Sequence, residues 1–294
     1  MIIIKLFGGL GNQLFQYALG RKLSLLHNTK LRFDITDFNK YNNSHSNMSE
    51  VGIGIKKFNI KFIEANFKEL NFFFFIKNKI LINLFKRLSS RIFSKLNSIL
   101  YNNYFYEDNI CTFYSKFCIY KNAYFHGFWQ NEKYFKDIKK ILIKEINLKK
   151  KHKKHINLLR KIKKSNSVAV HFRRGDFLLP EIKKMSPLIH LNYYNKSFKI
   201  INKKIKNPKY FFFSDDITWV KNNVKKKNSI YVSGFNEVED LISISNCKHQ
   251  IIANSTFSWW GAWLNDNQKK IVIAPNKWSS IQHNPCPLEW KKIT

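Results

Sequence analysis

The residues with the plainest chemical meaning in this chain are two adjacent arginines, Arg173 and Arg174, preceded by His171 and followed by Gly175 and Asp176. A guanidinium keeps its charge and presents a planar fork of donors that meets phosphate oxygens two at a time. Two such forks side by side suit a diphosphate. Gly175 permits a tight turn or the close approach of a ligand. Asp176 is placed to hold one guanidinium, and His171 to hydrogen-bond a base or a sugar. The competing reading is a loop ion pair between arginine and aspartate with no ligand at all. The element ahead of the pair weighs against that reading. Ser167 to Phe172 is an apolar run that predicts a buried strand. The arginines then stand at a strand's carboxyl end, where open α/β sheets bind their ligands.

Two further polar turns follow predicted strands. Lys209 to Ser214 is rich in aromatic residues and ends at Asp215 and Asp216. Lys248 to Ala253 ends at Asn254, Ser255, Thr256, Phe257 and Ser258. If all three turns share one sheet edge, they surround one nucleotide. Near the start, Ile2 to Phe7 predicts a strand that runs into Gly8-Gly9-Leu10-Gly11-Asn12-Gln13 and then a helical pattern through Leu14, Ala18 and Leu25. Gly9 and Gly11 would bring backbone N–H groups and a helix N-terminus up to an anion. The spacing departs from G-x-G-x-x-G, and no P-loop lysine follows. A plain tight turn explains the glycines equally well. Asn12 and Gln13 have two readings, hydrogen bonds to a sugar or phosphate and helix capping.

The elements that must position these residues alternate between strand and helix. Further strands are expected at Lys30 to Phe33, ending at Asp34 to Asp37, at Asn122 to Gln130, at Ser229 to Val232 and at Ile271 to Ala274. Helices are expected at Lys133 to Leu148, Lys149 to Lys164, Leu191 to Ile205, Asn236 to Ile244 and Trp259 to Leu264. The run Lys149 to Lys164 reads as a solvated helix that separates two domains, 1–155 and 165–294. Such alternation predicts parallel sheets with helices on both faces, an α/β fold. Trp259, Trp260 and Trp263 are expected in the core. Residues 38–120 are the least patterned part. Asn39 to Glu50 reads as a loop, and the stretch 71–87 as either a core helix or a segment that dips into a membrane surface.

Composition narrows the class. With 52 Lys and Arg against 19 Asp and Glu, the net charge is +33, a field that attracts nucleotides, nucleic acid and acidic headgroups. The lysines are scattered among Ile, Asn and Phe, so codon bias explains them as well as selection does. Zinc-finger, RNP and basic-zipper signatures are absent, which argues against a nucleic-acid partner. Cys111, Cys118, Cys247 and Cys286 form no C-x-x-C pair and have no zinc spacing, as expected of reduced thiols in a cytoplasmic protein. No apolar stretch reaches the roughly 18 residues of a membrane span.

Five stretches, Gly8 to Tyr17, Gly127 to Phe135, His171 to Asp176, Phe213 to Asp216 and Cys247 to Trp260, resemble in their order the bacterial α-1,2-fucosyltransferases of glycosyltransferase family 11. The resemblance spans nearly the whole chain except residues 38–120. It implies a GT-B-like fold of two Rossmann-like domains facing a cleft. The N-terminal domain would lie on the acceptor side and the C-terminal one would bind GDP-fucose. It implies transfer of L-fucose from GDP-β-L-fucose, with inversion, to the 2-hydroxyl of a terminal galactose on a surface glycan such as O-antigen. Carried over by residue, Arg173 and Arg174 neutralise the diphosphate, and His171, Asp215 and Asp216 address the guanosine. Ser255, Thr256 and Phe257 close on the phosphates, and Asn12 reaches the fucose or phosphate.

No cofactor is implied beyond the donor substrate. Metal-dependent transferases commonly hold a divalent ion with Asp-x-Asp. That motif is missing here, and Glu237-Val-Glu239 is the nearest approach, so arginine is expected to replace the metal. The general base stays open among Asp34, Asp37 and Asp176; Asp34 and Asp37 also suit turn and cap roles. A cytoplasmic enzyme, with or without peripheral contact at the inner membrane face, is expected. The alternatives are a related inverting transferase with another nucleotide sugar and a basic nucleic-acid-binding protein.

Overall fold

The computed structural model describes residues 1–41, 52–74, 92, 95–100, 103–107, 112–115, 119–280 and 284–294. The chain divides into two compact units, Met1–Lys56 with Ile60–Ile141, and Lys57–Asn59 with Leu142–Thr294.

Unit 1 is built on a four-stranded parallel sheet of β1 (Ile2–Lys5), β2 (Leu31–Asp34), β3 (Tyr104–Tyr106) and β4 (Ala123–His126), in the order β2-β1-β4-β3. A parallel strand covered on both faces reads as an unbroken apolar run, and Ile2, Ile3 and Ile4 are fully buried. Helix α1 (Leu10–Leu26) follows β1 and lies close against the sheet. Gly20 makes that closeness possible, because a Cβ there would fall 2.5 Å from the Ile4 side chain and 2.7 Å from Leu31. Helices α2 (Thr36–Tyr41) and α3 (Phe67–Asn71) follow. Phe73 and Phe74 pack with Tyr104, Tyr124 and Ile3.

Unit 2 is a six-stranded parallel sheet of β5 (Asn166–Phe172), β6 (Pro208–Ser214), β7 (Ser229–Tyr231), β8 (His249–Ile251), β9 (Val272–Pro275) and β10 (Lys291–Ile293). Its order, β10-β9-β8-β5-β6-β7, is that of the dinucleotide-binding fold. Alternate residues of each strand point to opposite faces, and both faces are apolar. Val168, Val170, Phe172 and Phe212 pack under Tyr193, Tyr194, Phe198 and Ile201. Ala169, Phe211 and Phe213 pack under Leu158, Ile162, Ile244 and Cys247.

From Lys139 onward the helices are α4 (Lys139–Glu145), α5 (Lys153–Lys163), α6 (Pro180–Met185), α7 (Leu191–Lys204), α8 (Ile217–Asn223), α9 (Glu237–Asn246) and α10 (Thr256–Leu264). The class and most of the expected elements agree with the sequence reading, with these differences. The expected helix Lys133 to Leu148 is broken: two single 3₁₀ turns, Glu132–Tyr134 and Lys136–Ile138, precede α4. Phe135 interrupts it with φ −145°. Helix α5 is not solvated all round, because His155, Leu158 and Ile162 are buried. It belongs to unit 2, so the division falls at Ile141/Leu142 rather than near residue 155. The first helix starts at Leu10 and the last at Thr256, both earlier than periodicity suggested. Strand β10 was not anticipated.

Of the stretch 71–87, Phe73 and Phe74 are buried and Phe72 is exposed; residues 75–87 lie outside the described residues, as do 42–50, Cys111 and Cys118. Cys247 and Cys286 are free, buried thiols, pushed well up from the ordinary thiol range by burial. Among the described residues no helix is long and apolar enough to cross a membrane.

Candidate active site

In unit 2 the chain moves from β5 outward to β6 and β7, then returns across β5 to build β8, β9 and β10 on the other side. The reversal lies between β5 and β8, and ligands of open parallel sheets bind beyond the carboxyl ends at such a point. Because every strand pair is parallel, the turns after β5, β6 and β8 emerge at one edge. The three polar turns of the sequence reading therefore come together.

The arginines are held, not loose. Arg173 Nη2 lies 2.6 Å from Asp176 Oδ1, and its Nη1 lies 2.9 Å from Asp215 Oδ2. The Arg174 backbone N–H donates to Asp215 Oδ1 at 2.9 Å, and its Nε donates to Asp216 Oδ2 at 3.2 Å. The Arg174 guanidinium lies flat enough on Trp219 to place its carbon 3.6 Å from the ring centre, a cation–π contact. The register explains the meeting: Phe172 pairs with Ser214, so residues just beyond each strand end face one another. Gly175 leaves room for Asp215, whose Oδ2 would fall 2.7 Å from a Cβ at that position. Asp216 also caps α8, accepting from the Trp219 N–H at 3.0 Å. Both oxygens of Asp215 and both of Asp216 are thus engaged within the turn. These carboxylates serve first as supports of the arginines rather than as open acceptors for a base.

His171 is nearly the last residue of β5 and 5 % exposed. Burial, and then the positive Arg173, push its imidazole down to about 3, so it is neutral at physiological pH. Its Nδ1 has no hydrogen-bond partner among the described residues, and its ring centre lies 5.4 Å from that of Phe257. Phe257 stands in the first turn of α10. Ser255 occupies the N-cap position without a side-chain cap, and Thr256 begins the helix. The first N–H groups of a helix lack internal partners and attract anions. An uncapped helix N-terminus and an anchored arginine pair therefore flank the reversal point. Asn254 is turned away, with its Nδ2 donating to Pro187 O at 2.9 Å and Trp278 O at 3.0 Å.

Two residues unnoticed in the sequence fix the strand ends. Tyr193 Oη lies between two carbonyls, Ile252 O at 2.7 Å and Ile273 O at 3.0 Å, which share its one proton, and Tyr194 Oη donates to His171 O at 3.0 Å. One pair of tyrosines on α7 thus sets β5, β8 and β9 relative to one another. Burial holds both phenols well above their ordinary range, so they remain donors. The signal was present, since buried phenols need partners. Trp259, Trp260 and Trp263 are buried core residues, as expected.

The remaining candidates lie in unit 1. Only Gly8 and Gly9 form its turn; Gly11, Asn12 and Gln13 are already in α1. Gly8 takes φ +73°, a left-handed conformation that glycine alone adopts at little cost. Asn12 Oδ1 accepts from Gln130 Nε2 at 3.1 Å. Gln13 Nε2 donates to Gly8 O at 2.9 Å and Gly52 O at 3.1 Å, a structural role. Asp34 accepts from Tyr124 Oη at 2.5 Å and from the Thr36 N–H at 2.9 Å, and Asp37 lies 3.0 Å from the buried Lys5 ammonium. Both carboxylates are occupied in unit 1. Among the described residues no group of three or more His, Cys, Asp or Glu side chains is arranged to hold a metal.

A family model for glycosyl transferase family 11 matches residues 1–291. The chain belongs to that family. Proteins similar to it include an α-1,2-colitosyltransferase of Escherichia coli, 34 % identical over 100 % of this chain and 99 % of the relative. The O-antigen biosynthesis glycosyltransferase WbnK of Escherichia coli is 30 % identical over 93 % of each. Among solved structures, the fucosyltransferase NodZ from Bradyrhizobium superposes with TM-score 0.53 at 13 % identity, over 89 % of this chain and 92 % of that one. NodZ has also been co-crystallized with GDP. At that identity the likeness establishes the fold, which is GT-B-like, and the protein is a glycosyltransferase of family 11.

Proposed function

We propose that this family 11 enzyme transfers L-fucose from GDP-β-L-fucose to the 2-hydroxyl of a terminal galactose, with inversion and without a metal ion, during O-antigen or related surface-glycan synthesis. The observation that supports it most is the anchored arginine pair beside an uncapped helix N-terminus at the reversal point of unit 2. In the reaction the bond between the anomeric carbon and phosphate breaks, and its electron pair leaves with GDP. The acceptor oxygen attacks the opposite face of that carbon and loses its proton. Donors already aimed at the growing negative charge lower the barrier without reorganising. Arg173, held by two carboxylates, meets the β-phosphate, and Arg174 meets its neighbour from the face of Trp219. Ser255, Thr256 and Phe257 supply the helix N-terminus. The neutral His171 hydrogen-bonds the guanosine. Asp215 and Asp216 fix the guanidinium forks and have lone pairs left for guanine N–H groups.

A second donor is favoured by one observation, the full-length similarity to a colitosyltransferase. Both sugars leave the same phosphate grip, so the donor must be settled by assay. Release of sugar and transfer are to be compared for GDP-fucose, GDP-colitose, GDP-mannose and UDP-sugars against a panel of galactosides, with linkage analysis of the product. GDP-fucose turnover into an α-1,2-linked galactoside is expected. Turnover restricted to a UDP-sugar would overturn the reading. Activity is expected to persist in EDTA, and abolition by chelation with rescue by Mn²⁺ would contradict metal independence.

A further inference from the structure

Strand β7 ends one side of the sheet of unit 2, paired with β6 alone. Between it and α5 lies a cavity of about 330 Å³. Leu158 of α5, Ile230 of β7, and Val232 and Phe235 just beyond β7 line it with hydrocarbon. Leu158 and Val232 are buried, and Ile230 and Phe235 half-buried. Lys154 and Lys161 of α5 also line it and are exposed, so they form its rim. Seven residues are two helical turns, so both lysines stand on one side of α5.

The helix that carries them is pinned. His155, fully buried, has its Nε2 3.0 Å from Ser243 Oγ of α9, and Leu158 and Ile162 pack on the sheet with Ile244 and Val232. The rim lysines are not consumed in this work. Lys154 Nζ donates to Gly234 O at 3.3 Å and lies 4.9 Å from the Phe235 ring centre, contacts that leave its charge uncompensated. Among the described residues neither lysine forms an ion pair. The chain around them offers no counter-charge: no Asp or Glu occurs between Glu145 and Asp176, while nine Lys and Arg occur from Lys149 to Lys164. Codon bias scatters lysines over a surface. It does not set two of them, unpaired, on the rim of an apolar cavity.

Uncompensated cations above hydrocarbon walls call for a ligand with an anionic head and an apolar stem. Free phosphate leaves the walls wet. A second copy of this chain brings the same cations and is repelled. Single-stranded nucleic acid stacks its bases on aromatic platforms, and these walls are aliphatic but for Phe235. We infer that the groove between α5 and β7 binds an anionic phospholipid at a bilayer surface. Its phosphate meets Lys154 and Lys161, and the first methylenes of its chain lie along Leu158, Ile230, Val232 and Phe235. The inference goes beyond the transfer reaction and depends on neither its donor nor its acceptor.

The test is cosedimentation of the full chain with vesicles of phosphatidylglycerol in phosphatidylcholine and with vesicles of phosphatidylcholine alone, followed by hydrogen exchange read by mass spectrometry. Binding to the anionic vesicles is expected, with protection of amides in 153–164 and 229–235. Lys154→Gln and Lys161→Gln together should weaken it about thirtyfold, or ~2 kcal/mol, whereas Lys154→Arg with Lys161→Arg should keep it. Lys203→Gln with Lys204→Gln removes the same charge from α7, on the opposite face of the sheet, and should weaken it by no more than about threefold. All four lysines are exposed, so melting temperatures near the parent's are expected. Equal losses in the two glutamine pairs would assign the binding to the diffuse positive field and overturn the site, as would equal binding to phosphatidylcholine alone. Inorganic phosphate protecting the same amides as strongly as vesicles, or a single-stranded RNA displacing the vesicles from them, would overturn the lipid assignment.

Discussion

The two sheets follow one rule and differ in what they place at the reversal point. Unit 2 puts Arg173, Arg174, Asp176, Asp215 and Asp216 there, in ion pairs. Unit 1 puts amides and aromatic rings there. Topology chooses the location of a site, and side-chain chemistry chooses its ligand. Charged forks suit an anion such as a diphosphate, whereas rings and amides offer only uncharged contacts. The supports differ in the same way. In unit 2 carboxylates hold guanidinium groups, while in unit 1 buried Glu107 and Gln16 hold backbone.

The largest expected effect breaks the charged half. If Arg173 meets the departing phosphate as proposed, Arg173→Ala should lower kcat by about a hundredfold or more, some 3 kcal/mol. Arg173→Lys keeps charge without the fork and should recover only part. A steady-state rate within about threefold of the parent for Arg173→Ala, under ~0.7 kcal/mol, would place the chemistry elsewhere.

Next come the supports. Asp215→Ala removes one of the two carboxylates on Arg173 and the acceptor of the Arg174 backbone N–H, and should weaken GDP binding by about tenfold, or ~1.4 kcal/mol. Calorimetry with GDP, IDP and pyrophosphate separates its two roles. A support of arginine loses all three ligands together. A reader of guanine N–H groups loses the preference for GDP over IDP and leaves pyrophosphate untouched. In unit 1 the matching change is Gln16→Leu, which strands the Phe7 and Gly127 backbone groups. It should cost about 2 kcal/mol by denaturant unfolding while GDP affinity holds. Coupled loss of GDP binding would mean the two reversal points are not separate devices.

Much of this was legible in the sequence because parallel strands announce themselves. Ile2 to Ile4, Val168 to Val170 and Tyr210 to Phe213 are continuous apolar runs, and each is followed at once by a polar residue. The pairing of Arg173 with Asp176 was visible from their spacing. The engagement of Asp215 and Asp216 with those arginines was not, because it depends on the register of β5 against β6, forty residues apart. Glu107 was invisible for a related reason. It closes a weakly patterned stretch, and its partners, Phe128 and Trp129, come 21 and 22 residues later. Gln13 was read as a sugar or phosphate contact or a helix cap and Gln16 was passed over, and here both amides are buried and satisfy backbone groups. Local pattern reveals elements; residues that tie elements together are specified only by the fold.

The smallest effect asks how far the charged character of unit 2's edge extends. Helix α9 follows β7, so its first turn, with Glu237, Glu239 and Asp240, lies at the same carboxyl edge as the arginines. Glu239 is committed to its capping box with Asn236. Asp240 has a buried Oδ1 without a hydrogen-bond partner among the described residues. Burial, and then the charge of Glu239, push its carboxyl up to about 7 from 3.8. Between those values the folded protein keeps a proton that the unfolded chain has lost, so this group makes stability fall as pH rises through the window. Asp240→Asn lacks the effect. Its melting temperature relative to the parent should therefore be higher at pH 8 than at pH 4.5. The burial of His171 acts in the opposite sense, with stability rising from about pH 3 to 6.5, and it is common to both proteins and cancels in the comparison. A difference between variant and parent that does not change with pH would show that Asp240 is ionised throughout, and that the acidic set on α9 stands apart from the arginine turn.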